Sequence, residues 1–165
     1  MADFLSAWAT FATSQPNTRE SYGVGRFQSR GETFTLTTAH DTGDVIALFP
    51  IPSNANVNRV LFTSDGGATA GAVDIGLYTL DLADGSSAVV DADLFASAQA
   101  VTSAVTDSDV TNESGVIGVS QRVGTPLWSL AGYSSDPGID FWVCYTVTTD
   151  VDATTQTVVM LEGVY

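Results

Sequence analysis

Apolar and polar residues alternate with a period of two through most of this chain. Between Thr33 and Thr38, Phe34 and Leu36 fall on one face and Thr33, Thr35 and Thr37 on the other, which is the pattern of a half-buried strand. Val73, Ile75, Leu77 and Thr79 alternate in the same way with Ala72, Asp74, Gly76 and Tyr78. The run from Asp44 to Ile51 is almost wholly apolar, as in a strand covered on both faces. Val57 to Thr63, Ile139 to Thr148 and Thr155 to Val164 complete the clear strands, and Val116 to Val119 and Leu127 to Leu130 are shorter candidates. Asp41-Thr42-Gly43-Asp44, Ser64-Asp65-Gly66-Gly67 and the polar stretch from Asp81 to Ser87 supply turns. Pro50 and Pro52 predict an extended connector. Residues 103 to 115 read as a surface loop.

Two stretches depart from this period. Asp91 or Asp93 can cap a helix near residues 91 to 102, with Leu94, Phe95, Ala98 and Val101 as its inner face. Residues 1 to 31 show no clean alternation. Phe4, Leu5, Trp8 and Phe11 fall at the spacing of a short amphipathic helix, which Pro16 breaks. A stretch with aromatics and arginines follows, from Tyr22 to Phe27. The expectation is an N-terminal arm over residues 1 to 31 and one all-β domain over 32 to 165. About eight short strands with one short helix indicate a β-sandwich of jelly-roll type. No internal repeat or linker divides the chain, and 165 residues suffice for a single core.

The order of several pieces adds to this. Gly43-Asp44-Val45-Ile46 leads through Ala55-Asn56-Val57 to Asp74-Ile75-Gly76-Leu77-Tyr78, and then to Asp91-Ala92-Asp93-Leu94-Phe95. Gly25-Arg26-Phe27 precedes them, and Thr125-Pro126-Leu127-Trp128 to Asp136-Pro137 follows, ahead of a strand. This succession, over roughly residues 23 to 162, resembles a family of small tailed-phage virion proteins that coat the capsid. The resemblance implies a structural protein and not an enzyme: a capsid decoration or cement protein. Such a protein sits on the outer surface of the capsid, binds the major capsid protein and bridges neighbouring subunits to stabilise the head. It also implies, together with the threefold sites that icosahedral shells offer, a small homo-oligomer, with a trimer favoured. Two other readings stay open: another virion component, such as a fibre base or tail protein, and a carbohydrate-binding β-sandwich module. The last needs an exposed aromatic platform, for which Trp128, Tyr133, Trp142 and Tyr145 are candidates.

Charge sharpens the picture of the arm. The chain holds 19 acidic residues against 5 basic ones, a net charge of −14, and every basic residue is an arginine. Residues 1 to 31 carry Arg19, Arg26 and Arg30 against Asp3 and Glu20, so the arm is +1 and the remainder is −15. An acidic body is repelled by nucleic-acid phosphates and by anionic membranes, so neither is an expected partner. Aromatic residues and arginine are the side chains most enriched in interface cores. Phe4, Leu5, Trp8, Phe11, Arg19, Tyr22, Arg26, Phe27 and Arg30 are therefore the candidate contacts to capsid or to a neighbouring copy.

Catalytic chemistry finds little support. His40 is the only histidine and Cys144 the only cysteine, and nothing in the spacing pairs them. His40-Asp41 sits at a strand end before a glycine turn, where a turn role explains it. Cys144 falls on the face of its strand opposite Phe141, Val143 and Tyr145, as a small packing residue does. There is no nucleophile-elbow motif and no phosphate cradle. One His and one Cys do not make a zinc site. Asp107, Asp109, Asn112 and Glu113 crowd one loop without the spacing of a calcium loop. The expectation is no enzymatic activity, no cofactor and no metal. No apolar run approaches the ~20 residues of a membrane span, and the N-terminus lacks the basic region of a secretory signal.

Overall fold

The computed structural model describes residues 4–5, 27–36, 40–83, 85–121, 124–151 and 154–164. A two-residue strand β1 (Phe4–Leu5) precedes eight full strands: β2 (Phe27–Leu36), β3 (Val45–Pro52), β4 (Asn56–Ser64), β5 (Ala72–Leu80), β6 (Ser87–Ala100), β7 (Val105–Asp109), β8 (Asp140–Thr149) and β9 (Thr155–Val164). A 3-10 turn (Val119–Gln121) and a one-turn helix α1 (Leu127–Leu130) lie between β7 and β8. One sheet has the order β1-β3-β8-β5-β6 and the other β2-β9-β4-β7. All pairings are antiparallel except that of β1 with β3. Counted among the eight full strands alone, the orders are 2-7-4-5 and 1-8-3-6. That interleaving of two sheets is the jelly roll expected from the strand pattern.

The core lies between the sheets. Phe49, Ile51, Ile75, Leu77, Phe141, Val143 and Tyr145 face Leu36, Val60, Phe62, Val159 and Leu161, all at most 1% exposed. Phe34 meets the ring of Tyr145 edge-on at 4.7 Å between centroids. Burying such side chains contributes about 1.5–3 kcal/mol each, which drives the closure of the two sheets.

The first sheet is apolar on its outward face as well. Ala47, Tyr78, Trp142 and Cys144 form a second cluster there, each at most 4% exposed. Among the described residues, the apolar side chains packed against it, Val45, Leu80 and Ala92, belong to the same sheet. This is why β3 reads as an unbroken apolar run: Ala47 serves the outer cluster while Ile46, Leu48 and Phe49 serve the core. A bulge between Ala47 and Phe49 lets adjacent residues share the core side. Cys144 is fully buried, and burial pushes its thiol pKa far up.

Five expectations need correction. The helix near residues 91 to 102 is instead the long strand β6. Its pairing with β5 breaks register three times. Leu94, Phe95 and Ala96 are all buried in succession, which mimics one face of a helix. Gly76 permits this crossing: a Cβ there would lie 2.2 Å from the carbonyl oxygen of Asp91. Leu127 to Leu130 form a helical turn because the amides of Leu127 and Trp128 bond the carbonyls of Ala55 and Ser53, which hold the segment against the β3–β4 turn. Val116 to Val119 is no strand: turns and bends lead into the 3-10 turn. The stretch from 103 to 115 contains β7, a short edge strand on β4. Finally, residues 27 to 31, expected in the arm, belong to the sheet. Phe27 to Gly31 already pair with Val164 to Met160 of β9, and Phe4–Leu5 are extended beside β3 rather than helical.

Candidate interaction surface

Strand direction sorts the loops into two ends. At one end lie the start of β2, the β3–β4 turn, α1, the approach to β8 and the β5–β6 turn. The register places them together: Phe27 is beside Val164, Val164 beside Asn56, and Ile51 beside Phe141. This is the end where β2 begins, and it is called the arm end below. The opposite end gathers residues 40–44, 65–71, 101–104, 150–151 and 154.

The two ends differ in what they show to solvent. Four of the exposed large apolar side chains are at the arm end: Phe27 (60% exposed), Leu82 (50%), Ile139 (40%) and Tyr133 (38%). Two more, Val89 and Val116, lie on β6 and in the 110–118 loop. The opposite end shows none among the described residues and carries Asp41, Asp44, Asp65, Asp107 and Asp150 instead.

Local braces hold the arm end in shape. The Ser53 amide donates to the carbonyl of Ile139 at 2.9 Å, and the Ser53 hydroxyl donates to Asp136. The Gly138 amide also donates to Asp136 at 2.9 Å. The Ser53 and Gly138 bonds hold the Asp136 carboxyl below the usual carboxylate range. The ring of Tyr133 packs on Phe141 at 5.7 Å, so its exposed edge is carried on a fixed support. At the acidic end the carboxylates serve turn amides. Asp150 accepts from the hydroxyl and amide of Thr42, both at 2.6 Å, and its pKa is lowered for that reason. Asp65 accepts from Gly67 and Gln156.

The sequence-derived contact residues divide four ways. Phe27 projects at the arm end. Arg30 does not project freely: its guanidinium donates to the carbonyl of Pro50 at 2.6 Å and stitches β2 to β3 across the two sheets. The backbone of Phe4–Leu5 extends the first sheet beside Ile46 and Ala47. Trp8, Phe11, Arg19, Tyr22 and Arg26 lie outside the described residues. Tyr133, Ile139 and Leu82 are exposed at this end without being among the contact candidates of the sequence. Ile139 reads as the first inward residue of its strand, but it sits one position before β8 begins, where the inner face has ended.

Other candidates disperse. Trp142 and Tyr145 are buried and Trp128 is packed against the core, so only Tyr133 of the four aromatics is exposed. The His40 ring lies 3.7 Å from Asp44, in a turn closed by the Asp44 amide on the Asp41 carbonyl. In the crowded acidic loop, Asp109 accepts from Thr111, Glu113 from the Ser97 amide, and Asn112 donates to the carbonyl of Ile117. Among the described residues no three His, Cys, Asp or Glu side chains converge as a metal site would require. On the first sheet, burial raises the pKa of Asp74, and repulsion from Asp93 and Glu113 adds to it. Asp91 is raised by burial and by its neighbour Asp93. No helix is long and apolar enough to cross a membrane among the described residues.

Comparison with known proteins gives fold-level likeness. No protein-family model matches the chain, and no curated protein matches it. Two solved structures do. A chain of the capsid of Ralstonia phage GP4 superposes with a TM-score of 0.63 at 15% identity, over 98% of this chain and 96% of that one. A chain of the cyanophage Pam1 capsid asymmetric unit superposes with a TM-score of 0.51 at 17% identity, over 93% and 94%. The likeness spans the whole jelly roll in each case, and it coincides with the phage-virion resemblance of the sequence motifs.

Proposed function

We propose that this chain is a structural protein of a phage virion, and specifically a capsid decoration protein. It binds the outer surface of the shell through the major capsid protein and stabilises the head by bridging neighbouring subunits. The observation that carries this reading is the end-to-end likeness of the fold to chains found in two phage capsids. The motif order quoted above points the same way. The surface is consistent with it: four of the exposed large apolar side chains lie at one end. The protein acts as a closed oligomer, with a trimer favoured. The segment between β1 and β2 supplies the anchor, with Trp8, Phe11, Arg19, Tyr22 and Arg26 at its contacts. A segment that orders on binding loses entropy but reaches across a large surface.

The test uses capsids that lack the protein. Added protein is expected to co-sediment with them to a fixed stoichiometry and to raise the temperature at which heads rupture. Failure to co-sediment with naked heads, alongside recovery in tail fractions, would favour the fibre or tail reading. A variant beginning at Phe27 addresses the arm. If it folds, binding is expected to fall sharply, and Arg19→Ala and Arg26→Ala are expected to give graded, salt-sensitive losses. Unchanged affinity of the folded truncation removes the arm from the mechanism.

A further inference from the structure

We infer that the core binds a structural water molecule between the two sheets, held by the hydroxyls of Tyr145, Thr155 and Thr157. Tyr145 comes from β8 of the first sheet, and Thr155 and Thr157 come from β9 of the second. All three residues are 0% exposed. None of the three hydroxyl oxygens has a hydrogen-bond partner among the described residues. A buried hydroxyl that bonds nothing is costly, and native interiors leave few of them. One shared partner satisfies all three.

The strands bring these hydroxyls together. Thr155 and Thr157 are successive inward residues of β9, in the alternation that continues with Val159 and Leu161. Register sets Phe34 beside Thr157 and Leu36 beside Thr155. The ring of Phe34 meets that of Tyr145 edge-on at 4.7 Å, so the tyrosine reaches the neighbourhood of Thr157. The phenol also senses Thr157 directly: burial raises the Tyr145 pKa, and Thr157 acts against the rise. The two hydroxyls thus stand near one another without reaching hydrogen-bond geometry. Thr155 follows on the same face, about 7 Å along the strand.

Chemistry selects water as the occupant. A hydroxyl both donates and accepts, and water answers in both senses. The phenol stays protonated at neutral pH because its pKa is raised, so the three groups offer no charge to a metal ion or an ionic ligand. Phe34, Leu36 and Phe62 surround them with apolar side chains that make no competing bond. Full burial leaves no opening for a larger molecule. Buried waters typically make about three hydrogen bonds to groups of this kind. Here the water adds a directional tie between β8 and β9, across sheets that pack otherwise through apolar contacts at this depth.

The direct test is a crystal structure of the full-length protein that shows ordered waters. A water at about 2.7–3.2 Å from the hydroxyls of Tyr145, Thr155 and Thr157 is expected. A direct bond between Tyr145 and Thr157 with no water beside it overturns the inference. Thermal melting of Tyr145→Phe, Thr155→Val and Thr157→Val gives a second readout, because its sign discriminates. Each variant keeps the shape of the side chain and removes one hydroxyl. With the water in place, each deprives it of a partner, and Tm is expected to fall by about 2–8 °C. The triple variant releases the water altogether and is expected to lose less than the sum of the three. Hydroxyls that stand alone would behave in the opposite way: an apolar group of the same shape relieves the cost of burying them, and a rise in Tm for all three overturns the inference. A fall for Tyr145→Phe and Thr157→Val, with Thr155→Val unchanged or raised, marks a direct bond between the first two and overturns the shared water.

Discussion

The two ends of this sandwich are braced by the same kinds of bond, yet they show different surfaces to solvent. Carboxylates accept turn amides at both: Asp150 that of Thr42, Asp65 those of Gly67 and Gln156 and Asp44 that of Asp41 at the acidic end, Asp136 that of Gly138 and Asp81 that of Ala83 at the arm end. Backbone amides also reach the carbonyls of distant segments at both, Gly43 to Val147 and Val101 to Gly71 at the first, Leu127 to Ala55, Trp128 to Ser53 and Ser53 to Ile139 at the second. Among the described residues, large apolar side chains such as Ile139 and Tyr133 are left outside at the second end and not at the first. The difference teaches that the apolar surface is compatible with a well-braced end. It is not a by-product of loose loops.

The strongest way to break the comparison is to remove a brace at each end. Leu127→Ala empties a fully buried position of α1 and is expected to cost about 2–5 kcal/mol in urea unfolding. At the acidic end, Gly66 has a φ of +69° and an added Cβ would lie 2.1 Å from the amide nitrogen of Ala104. Gly66→Ala is therefore expected to cost about 1–4 kcal/mol through strain and backbone displacement. Phe27→Ser, at 60% exposure, is expected to stay within about 0.5 kcal/mol. A Phe27→Ser cost as large as that of Leu127→Ala would mean that Phe27 is part of the core, and the arm end would lose its centre.

Much of this contrast was readable in the chain, and the part that was not has physical reasons. Strands β3, β4, β5, β8 and β9 follow directly from alternation or from an apolar run, because each packs a face on the core. Strand β6 does not, since its bulges put Leu94, Phe95 and Ala96 inward together and Asp91 and Asp93 on strand positions that resemble caps. The short helix α1 is fixed by amides that bond residues some seventy positions away in sequence, Leu127 to Ala55 and Trp128 to Ser53, and no local pattern encodes that. The candidate surface was legible only at Phe27. Ile139 and Tyr133 come to the same end as Phe27 through the register of β8 with β3 and of β2 with β9, which alternation alone cannot supply. Arg30 carried the right chemistry for an interface, but the fold uses it internally on Pro50.

A subtler test separates carboxylates that serve turns from those that sit on the sheet. Asp136 and Asp150 have lowered pKa values because hydroxyl and amide donors favour the ionised form. Their contribution is complete above the unfolded value of about 3.9 and is lost as pH falls through the lower folded value. Asp74 and Asp91 are raised by burial and by acidic neighbours, so folding disfavours their ionised form. Their penalty is complete at neutral pH and is relieved as pH falls through the raised folded value. Stability is therefore expected to rise on mild acidification from pH 7 and to fall on further acidification below about pH 4. Thermal melting across that range checks it, and a monotonic fall from neutrality would show that the sheet carboxylates carry no penalty.

The smallest expected effect is the most discriminating, because it holds charge constant while changing position. Asp74→Asn and Asp150→Asn each remove one negative charge from a chain at −14, so general repulsion is relieved equally in both. Asp74 accepts the Ala98 amide at 2.7 Å, and an asparagine oxygen at the same place still accepts it. What disappears is the cost of burying a charge and the repulsion from Asp93 and Glu113. The Asp74 carboxylate is only partly buried, so screening by water keeps the gain small, about 1–3 °C in Tm at pH 7. Asp150→Asn retains one acceptor oxygen but gives up the charge that strengthens the bonds from both Thr42 donors, and a decrease in Tm is expected. Opposite signs for two substitutions of identical chemistry would tie stability to where a carboxylate stands in the fold. Equal shifts of the same sign would mean that net charge alone governs both, and the distinction between turn and sheet carboxylates would fail.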